Sequence, residues 1–129
     1  MPKLTWDHIH LRSPNPEATA KWFESILGAE VIRTPQDGAI RIDLRLGGAN
    51  IFIAPVKAGD GVNASPATPY QGLDHFGLTC TGIDAIAAEL KAKGVKFTRE
   101  PTTMRPGVRV CFIRGPEGIS IELLERSAA

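Results

Sequence analysis

The sequence predicts an α+β protein built from two copies of one βαβββ module. The segment around His8 matches the segment around His75 in character, and these two histidines lie 67 residues apart. A stripe of apolar residues at helical spacing follows each histidine at the same offset. Each stripe is followed by apolar runs of strand length. A unit that recurs at a fixed offset is expected to build the same supersecondary structure twice.

The first module is predicted over residues 4–56. Its opening strand carries His8, and its helix has an apolar face made by Pro16, Thr19, Ala20 and Phe23. Pro16 suits the first helical position after Ser13 or Asn15, and Gly28 suits the end of the helix. The three remaining strands are predicted at residues 29–32, 39–46 and 50–55.

The second module is predicted over residues 73–126, with His75 in its opening strand. Ile83, Ile86, Ala87 and Leu90 repeat the helical stripe, and Gly94 follows the helix. Residues 57–72 separate the modules; they are rich in Gly, Ala, Pro, Asn and Ser and read as a surface connection. The strands that follow the helix are predicted at residues 95–98, 108–114 and 119–124. The whole chain, residues 1–129, is expected to act as one domain.

The open sheet faces carry the candidate site. A helix covers one face of each sheet, so two such sheets facing one another would enclose a cup. Side chains alternate across a strand, so apolar Phe76 and Leu78 turn His75 toward the presumed cup. The apolar row that ends the chain turns Glu122 the same way, and His8 occupies the position that corresponds to His75. Two histidines and one carboxylate suit Fe²⁺, Mn²⁺, Zn²⁺, Ni²⁺ or Co²⁺.

Several motifs resemble the vicinal oxygen chelate superfamily, which includes glyoxalase I, fosfomycin-resistance transferases, extradiol dioxygenases and metal-free bleomycin-binding proteins. The resemblance lies in the doubled βαβββ plan, the two Asp-His openings, the helix end at residues 22–28 and the closing Gly-Pro-Glu-Gly-Ile-Ser-Ile-Glu-Leu-Leu. It covers about Leu4 to Glu125. It implies that His8, His75 and Glu122 bind one divalent metal at the centre of the cup.

The resemblance also implies an open site. Glyoxalase I adds a glutamate ligand on the last strand of the first module, and alignment of the two modules places Phe52 there. Three protein ligands with free coordination positions are closer to the dioxygenase and fosfomycin-transferase pattern. The implied function is a metal-dependent enzyme acting on a small substrate that chelates the ion through neighbouring oxygens, by lyase, isomerase or epimerase chemistry. The alternatives are an extradiol-type dioxygenase and a metal-free drug-binding protein.

Other polar residues have two interpretations each. Glu122 and His10 are the predicted catalytic residues, with His10 orienting substrate or metal-bound water. A partly exposed histidine at the end of a strand explains His10 equally well. Arg41 or Arg45 could pair with a substrate anion, although a solvated sheet face is the simpler interpretation. Phe112 extends the apolar wall begun by Phe52, or belongs to ordinary core packing.

Composition excludes several classes. Fifteen Lys and Arg against fourteen Asp and Glu leave a formal net charge of +1, which gives no electrostatic case for nucleic acid or a membrane surface. Cys80 and Cys111 lie in apolar runs and read as core thiols of a reducing compartment. The N-terminal residues do not resemble a signal peptide, so a cytoplasmic protein is expected. Open sheet edges and the family resemblance favour a homodimer.

Overall fold

The computed structural model of the chain describes residues 2–127 and contains eight strands and two α-helices within that range. The chain divides between Asn63 and Ala64 into two compact units, each with a four-stranded sheet and one helix. The first residue and the last two of the predicted domain lie outside the described residues. The fold is therefore α+β with two βαβββ modules, as the sequence predicts.

Unit 1 carries the first module. Its elements in chain order are β1 (His8–Ser13), α1 (Pro16–Leu27), β2 (Glu30–Gln36), β3 (Ala39–Leu46) and β4 (Ala49–Pro55). The strand order is β1-β4-β3-β2, and β1 runs parallel to β4 while the other neighbours are antiparallel. The crossover through α1 thus places the first strand beside the last.

Unit 2 repeats this arrangement. Its elements in chain order are β5 (Phe76–Thr79), α2 (Ile83–Ala92), β6 (Phe97–Arg105), β7 (Val108–Arg114) and β8 (Ser120–Arg126). The strand order β5-β8-β7-β6 is that of unit 1, and β5 again runs parallel to the last strand. A short 3₁₀ turn, Pro116–Gly118, connects β7 to β8.

Helix α1 begins and ends as the sequence predicts. The Asn15 side chain accepts a hydrogen bond from the backbone N–H of Ala18, and Pro16 occupies the first turn. Gly28 ends the helix with φ of 73°, a left-handed conformation that residues with a side chain rarely adopt.

Helix α2 is capped from another element. Gly82 precedes it and has no side chain to offer. The Glu125 carboxylate on β8 instead accepts hydrogen bonds from the backbone N–H groups of Gly82 and Ile83, at 2.9 and 3.0 Å. These contacts satisfy free donors of the first turn and place a negative charge at the positive end of the helix.

Each unit has its own core between helix and sheet. Phe23 of α1, Leu44 and Ile51 are fully buried in unit 1, and Ile83, Cys111, Ile113 and Ile121 are fully buried in unit 2. Burial raises the pKa of the Cys111 thiol to about 11, which is the behaviour expected of a core thiol. Because strand residues alternate between faces, these buried rows turn the intervening side chains toward the face that carries no helix.

Several strand ends differ from the sequence prediction; β2, for example, extends to Gln36, four residues beyond its predicted end at Ile32. Strands β1 and β5 begin at His8 and Phe76, so the opening strands are shorter than the sequence patterns indicate. Strand β6 extends to Arg105, far beyond the predicted end at Thr98, and pairs with β7 through several register shifts. Within residues 2–127, none of the helices has the length and apolar character needed to span a bilayer.

Candidate functional site

In unit 1, His8 lies at the start of β1 on the face without the helix. Its ring stacks on Phe52 with 4.2 Å between the ring centroids and 26° between the planes. Its Nδ1 lies 2.7 Å from Oδ2 of Asp7. A carboxylate only accepts hydrogen bonds, so Nδ1 is the donor and Nε2 is left for another partner.

In unit 2, His75 and Glu122 are brought together. The Nε2 atom of His75 lies 3.2 Å from Oε1 of Glu122, and Nδ1 lies 2.7 Å from Oδ2 of Asp74. The side chain of Glu122 is 19% exposed and that of His75 is 30% exposed. The imidazole is therefore held between two carboxylates in a half-buried position, which is an arrangement that favours a positive charge at Nε2.

The electrostatics of His75 follow from these contacts. The hydrogen bond to Asp74 raises the pKa of His75 most. Burial opposes this increase, and the Glu122 carboxylate adds to it, so the pKa is raised overall. The two carboxylates would stabilise either a proton or a metal cation at Nε2, because both place positive charge between the ring and Oε1 of Glu122.

Strand register confirms that Phe52 corresponds to Glu122. In unit 1, His10 of β1 is paired with Phe52 of β4; in unit 2, Gly77 of β5 is paired with Glu122 of β8. The histidine two residues earlier contacts the β4 or β8 side chain in both units. An added Cβ at Gly77 would lie 3.3 Å from Oε1 of Glu122, so the glycine leaves room for this carboxylate.

His10 lies beside His8 and lines a cavity of unit 1. The two ring centroids are 6.1 Å apart, and the cavity of about 350 Å³ has mostly apolar walls. The Arg41 guanidinium lies 4.7 Å from the centre of the Phe52 ring, and its Nε donates a hydrogen bond of 2.9 Å to Asp43. Arg41 thus lines the cavity with its guanidinium over the Phe52 ring and its Nε hydrogen-bonded to Asp43.

Phe112 and Arg114 accompany the unit 2 pair on strand β7. Phe112 is paired with Glu122, and its ring meets that of His75 edge to face at 4.9 Å. Arg114 donates hydrogen bonds to the backbone carbonyl of Gly118 and to the Thr68 hydroxyl. Phe112 therefore packs on the candidate ligand, whereas Arg114 holds the connecting segment against the turn after β7.

The predicted site residues thus fall into two groups. His75 and Glu122 form a pair in unit 2, while His8 and His10 lie together in unit 1. Over residues 2–127, the structure contains no cluster of three or more His, Cys, Asp or Glu side chains arranged to hold a metal ion. Sequence reasoning missed the contacts that Asp7 and Asp74 make with the Nδ1 atoms of His8 and His75. The signal was present, because an aspartate precedes each candidate histidine ligand and none precedes His10.

Comparisons of sequence agree with this architecture. Residues 5–123 match the Glyoxalase/Bleomycin resistance protein/Dioxygenase superfamily. A probable chloroplastic lactoylglutathione lyase of Arabidopsis thaliana is 29% identical over 92% of this chain, which spans only 35% of that protein. A probable lactoylglutathione lyase of Vibrio parahaemolyticus is 25% identical over 95% of this chain and 91% of its own length. The chain spans between 35% and 43% of the three plant relatives that it matches.

Comparisons of structure agree as well. A glyoxalase family protein from Enterococcus faecalis has a TM-score of 0.70 and 27% identity, covering 94% of this chain and 97% of its own. A glyoxylase/bleomycin resistance protein/dioxygenase domain from Frankia sp. has a TM-score of 0.74 and 22% identity, covering 98% of this chain and all of its own. The chain belongs to the glyoxalase/bleomycin resistance protein/dioxygenase superfamily.

Proposed function

We propose that the protein is a divalent-metal-dependent enzyme acting on a small molecule that binds through two neighbouring oxygens. His75, Glu122 and His8 are the proposed ligands. The observation that carries the proposal is the His75–Glu122 pair, in which Nε2 and Oε1 converge at 3.2 Å while Asp74 holds the other ring nitrogen. Two imidazoles and one carboxylate are a common ligand set for Fe, Mn, Zn, Ni and Co.

The residues present fit such an ion. Each proposed histidine has a carboxylate at Nδ1, which is the usual outer partner of a metal-binding imidazole. Phe52 has no donor atom and stands where unit 2 has Glu122, so the protein supplies three ligands and leaves positions for water or substrate. A bound divalent ion would supply Lewis acidity, which stabilises negative charge on a substrate oxygen.

Glu122 and His10 are the proposed catalytic residues. Within residues 2–127, Oε1 of Glu122 contacts His75 and Oε2 forms no hydrogen bond, so Oε2 can accept a proton from substrate. The His10 ring adjoins both His8 and Phe52 and lines the cavity of unit 1. We propose that His10 orients the substrate by donating a hydrogen bond from its imidazole.

The cavity of unit 1 is the proposed place for the remainder of the substrate. Phe52 and Ile40 give it apolar walls, and Arg41 adds a guanidinium whose Nη groups form no hydrogen bond within the described residues. A substrate with an apolar body and a terminal carboxylate or phosphonate would be complementary to these lining residues.

Arg41→Lys is therefore expected to raise KM more than it lowers kcat for such a substrate.

Redox-neutral lyase, isomerase or epimerase chemistry is the reaction class that we favour, because the relatives at 21–29% identity include lactoylglutathione lyases. The absence of a donor at position 52 separates this chain from the four-ligand glyoxalase I pattern. An extradiol-type dioxygenase is the second enzymatic candidate. It rests on the same three-ligand set, and the identity of the metal distinguishes the two, since ring-cleaving dioxygenation requires iron or another redox-active ion.

Metal content of protein purified without chelators tests the proposal. We expect about one divalent ion per chain in the wild type and its loss in His8→Ala, His75→Ala and Glu122→Ala, with unchanged circular dichroism. His10→Ala is the matched control, because it removes an imidazole from the same strand without removing a proposed ligand. Full metal content in His75→Ala and Glu122→Ala would contradict the assignment, and a metal-free wild type would favour a small-molecule binding protein.

A further inference from the structure

Two aspartates stand in the same relation to the two proposed histidine ligands. Asp7 precedes His8 and Asp74 precedes His75, and in both pairs the aspartate Oδ2 lies 2.7 Å from the histidine Nδ1. The two pairs belong to different units and to corresponding positions of the repeated module. The same contact therefore occurs twice, from the same Asp-His dipeptide, in two different compact units.

We infer that Asp7 and Asp74 are positioning residues that keep a proton on Nδ1 and so reserve Nε2 of each histidine for the metal. This inference rests on the proposed metal site. An ionised carboxylate accepts hydrogen bonds and donates none, so a neutral imidazole beside it is held in the Nδ1–H tautomer with the Nε2 lone pair free. An imidazole without such a partner favours the opposite tautomer, in which a proton occupies Nε2.

A contribution to folding does not account for these contacts. The Asp7 side chain is 82% exposed and that of Asp74 is 55% exposed, and exposed pairs of this kind add little to stability. His10 provides an internal comparison. It follows Ile9 rather than an acid, and its ring forms no hydrogen bond within the described residues. The aspartates accompany the proposed ligands and are absent from the neighbouring histidine.

The first test is the tautomer of His8 in metal-free protein. His8 is the cleaner case, because Nε2 of His75 also faces Glu122. Long-range ¹H–¹⁵N correlation spectra at about pH 9, where an ordinary histidine is neutral, distinguish the tautomers. We expect Nδ1–H in the wild type, Nε2–H in Asp7→Ala, and Nδ1–H again in Asp7→Asn, whose side-chain carbonyl still accepts. His10 should keep one spectrum throughout, and an unchanged His8 spectrum in Asp7→Ala would overturn the inference.

The second test is the affinity for Co²⁺ or Zn²⁺, measured by competition with a chromophoric chelator. Loss of an outer carboxylate from a metal-binding histidine weakens metal binding roughly 10- to 100-fold, so Asp7→Ala and Asp74→Ala should each show a loss of that size. Asp7→Asn should be closer to the wild type. Wild-type affinity in both alanine variants would overturn the inference while leaving the metal site intact. A wild type that binds neither ion would overturn the proposed function, and the His8 tautomer would then decide the role of Asp7.

Discussion

Single residues decide how many positions around the proposed ion are open. Phe52 contacts His8 from the position that corresponds to Glu122, which contacts His75. Phe52 has an aromatic ring where Glu122 has a carboxylate. We therefore predict that the Co²⁺-substituted protein will bind small bidentate oxygen ligands such as acetohydroxamate. Water at two adjacent positions would be displaced, and the d–d absorption bands should change until they saturate.

Phe52→Glu is the matched variant for this experiment. It restores a donor at the position that corresponds to Glu122, so we expect tighter Co²⁺ binding and a weaker response to acetohydroxamate. A wild-type spectrum that is indifferent to every bidentate ligand would mean a closed, structural metal site.

The site was only partly predictable at this scale. The alternation of apolar and polar residues predicted that His8 and His75 lie on corresponding faces and that Glu122 lies on the same face as His75. Alternation does not predict side-chain rotamers, so the contacts of Asp7 and Asp74 with Nδ1 of His8 and His75 could be seen only in the structure. An aspartate before a strand looks like an ordinary exposed acid in the sequence, and both side chains are in fact largely exposed.

Among the elements, those with strong local signals were predicted best. Helix α1 has a capping Asn15, a Pro16 and a terminal Gly28, and its bounds follow from them. Strand β6 has none of these signals. Its Thr-Arg-Glu-Pro-Thr-Thr stretch is polar and contains Pro101, so no alternating pattern marks it as a strand. This segment forms a strand because it pairs with β7 through several register shifts. Such long-range pairing overrides the weak local preference of these residues for a strand.

The cap of α2 predicts a pH-dependent stability. Hydrogen bonds from the backbone N–H groups of Ile83 and Gly82 lower the pKa of Glu125 in the folded protein. A carboxyl with a lowered folded pKa stabilises the protein above its unfolded pKa, and this stability is lost as the pH falls through the folded value. We expect Glu125→Gln to lower the urea midpoint at pH 7 and to reduce its fall toward pH 3.

Glu89→Gln is the control for this prediction, because Glu89 is an exposed acid on the same helix without a role at its N-terminus. Its urea midpoint should stay near that of the wild type at both pH values. Equal pH profiles for Glu125→Gln and the wild type would show that the cap contributes nothing.

The helices also anchor the two cores. Phe23 of α1 is completely buried, and Leu90 of α2 is 3% exposed. We predict that Phe23→Ala costs about 3–5 kcal/mol and Leu90→Ala about 2–5 kcal/mol in the free energy of unfolding, through lost burial and the cavity left behind. Denaturant unfolding measures both. Lys21→Ala, at an exposed position of α1, should change the free energy by less than about 0.5 kcal/mol, and a similarly small loss in Phe23→Ala would contradict the predicted core.

For the whole molecule, the edges of the two sheets predict association. Strands β2 and β6 are edge strands that contain Pro35 and Pro101, and a proline on an edge discourages further pairing. Strands β1 and β5, at the opposite edges, contain no proline. Next to them lie Trp6 and Leu73, which are 76% and 69% exposed. Large apolar side chains beside an unpaired strand edge are typical of a surface that another chain covers.

We therefore predict a homodimer in which the second copy covers Trp6 and Leu73. Light scattering at micromolar concentration should give twice the chain mass of 13.9 kDa. Trp6→Ala should weaken dimerisation by at least about tenfold, since truncating a tryptophan that acts as a binding hot spot costs about 2 kcal/mol or more and about 1.4 kcal/mol corresponds to tenfold. Met104→Ala is the control, because Met104 is an exposed apolar residue on the proline-containing strand β6. Hydrogen exchange should be slowed in β1 and β5 on dimerisation but not in β2. A monomer at high micromolar concentration with metal bound, or equal dimer affinity in Trp6→Ala and Met104→Ala, would contradict this interface.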